Sequence, residues 1–317
     1  MEKTNRTAVT EFILLGFPMA RGLQHLLFMA LLLVYIVTLL GNLAIIGVTW
    51  TNVSLHTPMY FFLRNLAFLD IWFTSAIMPK ILINMMMEAK TISFGGCMLQ
   101  SYIYFVLGTT EFILLAVMSF DRYVAICHPL RYSAIMSQKL CMHLVLGSWL
   151  GGFLDTIVQS AMTWQLPFCG PNIINHYFCD VEPLLKLACA DTSLIGKLDF
   201  AFASTVVLGS LIWSLISYTC IGIAIARIPS AEGRRKAFNT CASHVTVVAL
   251  VYGSCIFMCA RPPEDTALDS NKIVALMNSI LTPLLNPFIY SLRNKSVKDA
   301  LKQALSKISL FSKTEKQ

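Results

Sequence analysis

The sequence predicts an all-α membrane protein: a bundle of seven transmembrane helices with a short amphipathic C-terminal helix on the inner leaflet. Its residues are 56% hydrophobic and only 13% charged, whereas soluble domains carry about 25% charged residues. The mean hydropathy is +0.67. Seven apolar runs are long enough to cross ~30 Å of hydrocarbon, which takes roughly 20 residues. They are residues 24–48, 58–79, 97–120, 140–161, 198–226, 238–259 and 271–291.

Little of the 317-residue chain lies outside these runs. We therefore expect a single domain over residues 1–317, with an N-terminal tail over 1–23, the seven-helix bundle over 24–291 and a second tail over 292–317. The first residues lack a basic segment followed by an apolar core, so no cleavable signal peptide is apparent. The first helix is expected to act as the insertion signal.

Basic residues predict the orientation, because cytoplasmic loops carry an excess of Lys and Arg. The second and third predicted cytoplasmic loops contain Arg131 and Arg234, respectively. Further basic residues follow from Arg293 onward. The N-terminus is then extracellular, the C-terminus is cytoplasmic, and the protein lies in the plasma membrane in contact with lipid. The net charge of +7 reflects this bias and does not indicate nucleic-acid binding. Asn5 begins an Asn-Arg-Thr glycosylation acceptor on the outer side.

The first two helices carry few polar residues. Gly41 and Asn42 in helix 1 predict close packing and an amide bond across helices. Helix 2 buries Asp70, and Glu111 on helix 3 is its natural companion, because an ionisable residue at membrane depth faces the interior. Two acids close together favour a shared proton or a bound cation such as Na⁺. The alternative is two protonated, hydrogen-bonded carboxyls that only pack.

Helix 3 ends in the sequence Asp121-Arg122-Tyr123, and Pro129 stops any further helix. Counting back from Arg122, steps of four and three residues place its polar and small residues on one face. This face is expected to point into the bundle, because lipid would leave Glu111 unsatisfied. Its members are Tyr104, Gly108, Glu111, Leu115, Met118 and Arg122.

Four cysteines lie on the predicted outer side, where disulfides form. Cys97 stands at the outer end of helix 3, and Cys169, Cys179 and Cys189 lie in the long loop over residues 162–197. Four cysteines allow two bridges, and their spacing alone leaves three pairings open.

Helices 5 to 7 carry further polar residues near their inner ends. Helix 5 ends in Ser217-Tyr218, and His244 on helix 6 is either a packing residue or part of a switch. Helix 7 contains Pro283 and then Asn286-Pro287, and a proline frees backbone carbonyls that neighbouring polar groups must satisfy. After this helix, apolar residues at helical spacing among lysines predict the amphipathic helix. They are Val297, Leu301, Ala304, Leu305 and Ile308.

The sequence lacks the motifs of several common enzyme, metal-binding and transporter classes. Phosphate-binding loops, paired His ligands and a nucleophile elbow are missing, and the six histidines are scattered, so no metal site is expected. The sequence shows no internal repeat of the transporter kind. Two alternatives remain open: a transporter or channel, which predicts flux in liposomes, and an intramembrane enzyme using Asp70 and Glu111.

The chain resembles the rhodopsin-type G-protein-coupled receptors, and among them the tetrapod-type olfactory receptors. The motifs of this resemblance cover nearly every helix. They are residues 55–63, Asp121 to Tyr132, Ser217-Tyr218, Lys236-Ala237-Phe238, Thr240 to His244 and Pro283 to Asn294. Departures from the family's usual residues are few: Ser119-Phe120 replaces Ala-Tyr, Arg64 and Ala67 replace Ser, and Asn239 replaces Ser.

The resemblance implies an odorant receptor and not an enzyme. Its ligand would be a small, volatile, weakly polar molecule, and its partner a stimulatory heterotrimeric G protein that raises cAMP. The pocket is not expected to contain a buried cation ready to bind a ligand carboxylate. No cofactor is implied beyond Na⁺ at Asp70 and Glu111. The implied odorant pocket lies in the outer half of helices 3, 5, 6 and 7. Its candidate residues are Tyr104, Phe105, Gly108, Thr109, Phe202, Val206, Tyr252, Cys255, Ile256, Cys259 and Ser279.

The resemblance also implies a G-protein switch at the cytoplasmic end and two disulfides. In the resting state Arg122 would be held by Asp121 and by polar groups near His244. The implied bridges are Cys97–Cys179 and Cys169–Cys189, with Cys97–Cys189 as the alternative. The switch residues are Asp121, Arg122, Tyr123, Tyr218, His244, Asn286, Pro287 and Tyr290.

Overall fold

A computed structural model describes residues 9–16, 20–169, 171–259, 272–273, 275–293, 296–303 and 306. Most of these residues are helical, which confirms the predicted fold class. The long helices are α1 (Arg21–Thr51), α2 (Pro58–Met86), α3 (Phe94–Cys127), α4 (Gln138–Trp164), α5 (Ser193–Ala226) and α6 (Ala231–Cys259). The last helix of the bundle, α7 (Thr282–Arg293), continues a π-helical turn over Met277–Leu281.

The first six of these helices are long and apolar enough to cross a membrane. Their outward faces expose large apolar side chains, as a bilayer requires. On α1, Leu26, Met29, Leu33 and Leu40 are each at least 60% exposed. They follow helical spacing, so they form one lipid-facing stripe.

The helices extend beyond the predicted apolar runs. α5 begins at Ser193 and α6 at Ala231, where the sequence predicted 198 and 238. The additional turns include charged residues such as Lys197, Arg234 and Arg235, so hydropathy alone does not mark them. Short helices fill the connections, at Val53–Leu55, Pro129–Arg131, Tyr132–Ile135 and Val181–Leu187.

The prolines of the last helix are compensated as the sequence predicts. Because Pro287 has no N–H, the carbonyl of Pro283 loses its helical donor, and Asn42 Nδ2 on α1 donates to it at 3.1 Å. Pro283 likewise frees the carbonyl of Ser279, which lies 3.5 Å from Thr74 Oγ1 on α2. Gly41 allows the close approach, since a Cβ there would lie 3.1 Å from the Pro287 ring.

A small sheet on the predicted outer side was not expected from the sequence. Strand β1 (Glu11–Leu14) pairs antiparallel with β2 (Thr91–Ser93) and parallel with β3 (Ile173–Ile174). Phe12 is fully buried in this layer, where its ring stands 5.4 Å from that of Phe168. Part of the predicted N-terminal tail is therefore packed against the outer loops.

The main core occupies the inner half of the bundle. It joins buried residues of α1 to α4, α6 and α7, including Phe62, Leu115 and Tyr290. A helical segment over 296–303 follows α7, and its Val297 is completely buried against this core. This agrees with the first part of the predicted C-terminal helix. Ala304, Leu305, Ile308 and the glycosylation acceptor Asn5 lie outside the described residues.

Candidate functional site

Aromatic rings fill the outer half of the bundle below the second outer loop. The Tyr104 ring on α3 lies 4.4 Å from Phe178 of that loop and 5.0 Å from Phe73 on α2, measured between ring centroids. The Phe105 ring stands edge-on to Tyr104 at 5.2 Å. Gly108 lies one turn below, where an added Cβ would approach Phe73 at 4.0 Å. Of the predicted pocket residues of α3, Tyr104 thus meets the second outer loop, and Phe105 packs against Tyr104.

Helices α5 and α6 meet α3 at a polar contact deeper in the bundle. Tyr252 is 2% exposed, and its ring centroid lies 5.3 Å from that of Phe112 on α3. Ser210 and Ser214 of α5 are close enough to interact with its hydroxyl, yet this oxygen makes no hydrogen bond within the part of the chain that the structure describes. A buried phenol without a partner is costly, so this hydroxyl is the polar group of the region whose hydrogen-bonding capacity is not used by the described residues.

The other predicted pocket residues are not all directed inward. Phe202, Val206 and Cys255 are half-buried. Ile256 is 51% exposed and lies on the outward arc of α6 beside Phe257, so the structure does not place it in the interior. The side chain of Cys259 lies outside the described residues.

Two predicted pocket residues have hydroxyls with partners in neighbouring elements. Thr109 Oγ1 donates to Asp155 Oδ2 on α4 at 3.0 Å, which also gives Asp155 a partner that the sequence did not suggest. Ser279 is completely buried, and its Oγ donates to the carbonyl of Ala275 at 2.6 Å. Neither hydroxyl is directed freely into a pocket.

Two disulfides hold the second outer loop over the bundle. Cys97 of α3 pairs with Cys179, and Cys169 pairs with Cys189. This confirms the pairing that the resemblance implied and excludes the alternative Cys97–Cys189 bridge. Phe178 is adjacent to Cys179, so the first bridge also holds the ring that packs on Tyr104.

The second outer loop packs against a buried lysine that sequence reasoning did not identify. Lys272 is 2% exposed, and its Nζ donates to Asn175 Oδ1 at 2.7 Å. Burial lowers the pKa of neighbouring His176 to about 3, and the charge of Lys272 acts in the same direction. Burial also raises the pKa of Asp180 to about 7, although its bond from the Val181 N–H opposes this shift. Lys272 stands at the very start of a predicted apolar run, where hydropathy cannot distinguish a buried side chain from an exposed one.

Buried carboxyls lie between α2, α3 and α7. Asn286 Nδ2 donates to Asp70 Oδ2 at 2.9 Å, and Glu111 is close enough for its charge to interact with that of Asp70. Three oxygens of this cluster have no donor among the described residues: Asp70 Oδ1, Glu111 Oε1 and Asn286 Oδ1. Hard cations such as Na⁺ bind this kind of oxygen ligand, so the residues fit the predicted ion.

The cytoplasmic end of α3 holds a buried ion pair. Arg122 Nε donates to Asp121 Oδ2 at 2.9 Å, and an Arg122 terminal nitrogen contacts the same oxygen. Tyr132 of the following short helix donates to Asp121 Oδ1 at 2.7 Å. Burial and the nearby Asp121 raise the pKa of the Tyr132 phenol, so it remains the neutral donor. Tyr123 turns outward instead, to His128 Nε2 at 3.1 Å.

Side chains from three other helices surround this ion pair. A small cavity is lined by Arg122, His244 of α6, Tyr290 of α7 and Met59 of α2. The Tyr218 hydroxyl of α5 contacts His244 Nδ1. Most of the predicted switch residues therefore meet here, with Asn286 and Pro287 one turn above, whereas Tyr123 turns away from the cluster.

A contact between α3 and α5 was missed by sequence reasoning. The Ser119 hydroxyl lies 3.0 Å from the carbonyl of Leu115 and 3.1 Å from Ser214 Oγ. The signal was available, since Ser119 departs from the usual alanine of the resembled family, but one polar residue on a helix does not identify its partner.

The chain was compared with protein families, curated proteins and solved structures. A family model described as "Olfactory receptor" matches residues 31–308. Olfactory receptor 6E1 of Mus musculus is 56% identical over 311 residues, covering 98% of this chain and 99% of that protein. Olfactory receptor 6X1 of Homo sapiens is 51% identical, covering 95% and 97%. Squid rhodopsin superposes with a TM-score of 0.71 at 17% identity, covering 90% of this chain and 82% of that one, a likeness of fold.

Proposed function

Because the chain belongs to the olfactory receptor family of rhodopsin-like G-protein-coupled receptors, we propose that it binds a small, volatile, weakly polar odorant and activates a stimulatory heterotrimeric G protein. The odorant binds in the outer half of the bundle, and cAMP rises as the result. The protein is a multi-pass signalling receptor of the plasma membrane and not an enzyme. Its N-terminus is extracellular, in keeping with the basic residues at the opposite side.

The observation that carries this proposal is the buried Arg122 at the cytoplasmic end. Its guanidinium is paired with Asp121 and shares a cavity with His244 and Tyr290. An outward movement of α6 removes His244 from this cavity and opens Arg122 to a partner in the cytoplasm. A planar guanidinium with five donors suits such an exchange of partners better than a lysine. The odorant then acts by favouring the open conformation, which is a population shift.

The character of the outer half supports an apolar ligand with few polar groups. Tyr104, Phe105 and Phe178 offer aromatic surface, and the Tyr252 hydroxyl offers one hydrogen bond. Lys272 is already bonded to Asn175, so a carboxylate ligand would have to displace that contact. Pockets for small molecules commonly combine apolar lining with a few polar groups in this way.

We place Na⁺ at Asp70 and Glu111, supported by the buried oxygens that lack donors. A bound cation there supports the resting packing of α2, α3 and α7, so Na⁺ should weaken the response to an agonist. This sensitivity should vanish in Glu111→Gln, which keeps the shape but removes a charge. A wild-type response that does not change with Na⁺ would favour the alternative of protonated, hydrogen-bonded carboxyls.

A cAMP assay in cells that express the receptor and its G protein tests the function. A broad odorant panel should yield an agonist that raises cAMP. Arg122→Ala should abolish this response while surface expression and odorant binding are retained, because Arg122 lies far from the outer half. Normal odorant-driven cAMP from a well-expressed Arg122→Ala receptor would remove Arg122 from the mechanism.

A further inference from the structure

A groove of about 520 Å³ opens at the cytoplasmic end between α1, α2 and α4, and it shares no lining residue with the switch cavity. Its lining includes Trp50 of α1, Phe61 and Arg64 of α2, and Gln138 at the start of α4. Trp50 is 66% exposed, and tryptophan favours the boundary between hydrocarbon and headgroups. The groove therefore lies at membrane level and faces the lipid.

Arg64 is the charged group of this groove. Its Cζ lies 5.0 Å from the Trp50 ring centroid and 5.8 Å from that of Phe61, so two rings hold the guanidinium by cation–π contact. Its buried Nε has no hydrogen-bond partner, and no carboxylate in the described ranges forms an ion pair with it. The ring contacts leave the N–H donors unused. A guanidinium in this state is suited to bidentate binding of phosphate.

The surroundings favour an anion. Neither of the segments that form the groove, residues 48–66 and 128–141, contains an acid, whereas they carry Arg64, Arg131 and Lys139. Helices α2 and α4 both begin here, at Pro58 and Gln138. Helix N-termini carry partial positive charge. In α2 the side chain of the preceding residue makes no capping bond, so its first-turn N–H groups are not satisfied from that side.

We propose that this groove binds an anionic glycerophospholipid of the cytoplasmic leaflet, with its phosphate on Arg64 between the two helix N-termini. Arg64 lies six residues after Pro58, about 9 Å along the helix, and its side chain extends back toward the headgroups. The acyl chains lie against apolar residues exposed above the groove. On α1 and α4 these include Leu43, 55% exposed, and Leu146, 58% exposed. The site depends on the membrane location alone and not on the odorant or the G protein.

Fluorescence quenching in nanodiscs tests this site, because Trp50 lines it. Receptor is reconstituted with phosphatidylcholine and either brominated phosphatidylserine or brominated phosphatidylcholine at equal mole fraction. We expect stronger quenching by the serine lipid, and we expect Trp50→Phe to remove this excess. Arg64→Ser should reduce the preference about fivefold, since a basic side chain near an anionic surface contributes roughly 1 kcal/mol.

The controls separate a specific site from general attraction. Serine is the residue that the resembled family usually has at position 64, so Arg64→Ser is expected to fold, and odorant-driven cAMP reports that it does. Arg235→Ser removes an exposed cation of the same side that lies outside the groove-forming segments, and it should leave the preference unchanged. Arg64→Lys keeps the charge but lacks the planar guanidinium, so its preference for the serine lipid should lie between those of wild type and Arg64→Ser.

Three outcomes would overturn the proposal: equal quenching by the two lipids, a preference that persists in Arg64→Ser, or an equal loss in Arg235→Ser. Soluble glycerophosphoserine and inorganic phosphate are added to the same nanodiscs. We expect neither to displace the brominated lipid, because the acyl chains contribute to binding. Displacement by either one would identify a site for a free anion in place of a lipid.

Discussion

The ion pair between Asp121 and Arg122 predicts that Asp121→Asn raises signalling without odorant. The amide keeps the size of the carboxylate and the acceptor for Tyr132, but it loses the charge that Arg122 contacts at 2.9 Å through Nε. Asp121 is 1% exposed and Arg122 is 6% exposed, so water cannot replace the lost interaction in the closed structure. The substitution therefore weakens the resting conformation more than an open one, in which Arg122 has other partners.

The size of the effect follows from the kind of bond that is lost. A hydrogen bond to a charged group contributes about 1.5–3 kcal/mol, and each 1.4 kcal/mol is about tenfold in an equilibrium constant. The ratio of open to resting receptor should thus rise about 10- to 150-fold. From a minor state of about 1%, the open fraction becomes roughly 10–60%, which is measurable as basal cAMP.

Basal cAMP is measured at matched surface expression, with and without the G protein. Tyr132→Phe is the companion variant, because it removes the 2.7 Å bond to the other carboxylate oxygen and leaves the ion pair. It should raise basal cAMP less than Asp121→Asn does. Basal cAMP of a well-expressed Asp121→Asn receptor equal to wild type would refute the reasoning, because the pair would then be equally strong in both conformations.

Three further predictions concern stability and topology. Gly152→Ala should destabilise the receptor by about 1–3 kcal/mol, since its Cβ would lie 2.2 Å from Thr110 Oγ1. Gly147→Ala is the control in thermal unfolding, because a Cβ at Gly147 would have nothing within 4 Å. Equal melting temperatures of the two variants would contradict the close contact at Gly152. Asp180 has a folded pKa of about 7 against 3.8, so the folded state binds more protons between these values and stability falls as pH rises through that window. Asp180→Asn keeps an acceptor for the Val181 N–H and should melt at a higher temperature than wild type at pH near 8. This difference in melting temperature should close near pH 4. A difference that does not change with pH would exclude a buried charge at Asp180 as its cause. Asn5→Gln should abolish a gel shift on glycosidase treatment, and a shift that remains would mean that the site or the topology is wrong.

The sequence predicted the bundle because its physical causes are local. Membrane spans follow from the length of apolar runs, and the compensation of prolines follows from the missing N–H of Pro287. Helical spacing was enough to bring Glu111 and Arg122 to the buried face of α3. The bridges Cys97–Cys179 and Cys169–Cys189 required the resemblance, since spacing left three pairings open.

Other features could not be predicted because their causes are not local. Periodicity places Thr109 beside Gly108, yet only packing against α4 decides that its hydroxyl meets Asp155. The outward position of Ile256 depends on the rotation of α6 about its axis, which a single helix does not determine. Lys272 is buried because Asn175, 97 residues earlier in the chain, accepts its bond. Strand β1 is four residues long, too short to give a reliable alternating pattern.

The pairing of strand β1 also constrains the order in which the receptor is made. Ile13 lies beside Ile173 in the sheet, so 160 residues (13 to 173) must be synthesised before this contact can form. At roughly 5–20 residues per second, that takes about 8–30 s. With the proposed orientation, the N-terminal segment waits during this time on the lumenal side, with the edge that pairs with β3 still open. Slow or failed translocation of the second outer loop would prolong this exposure, and export of the receptor to the cell surface would suffer before any odorant is met.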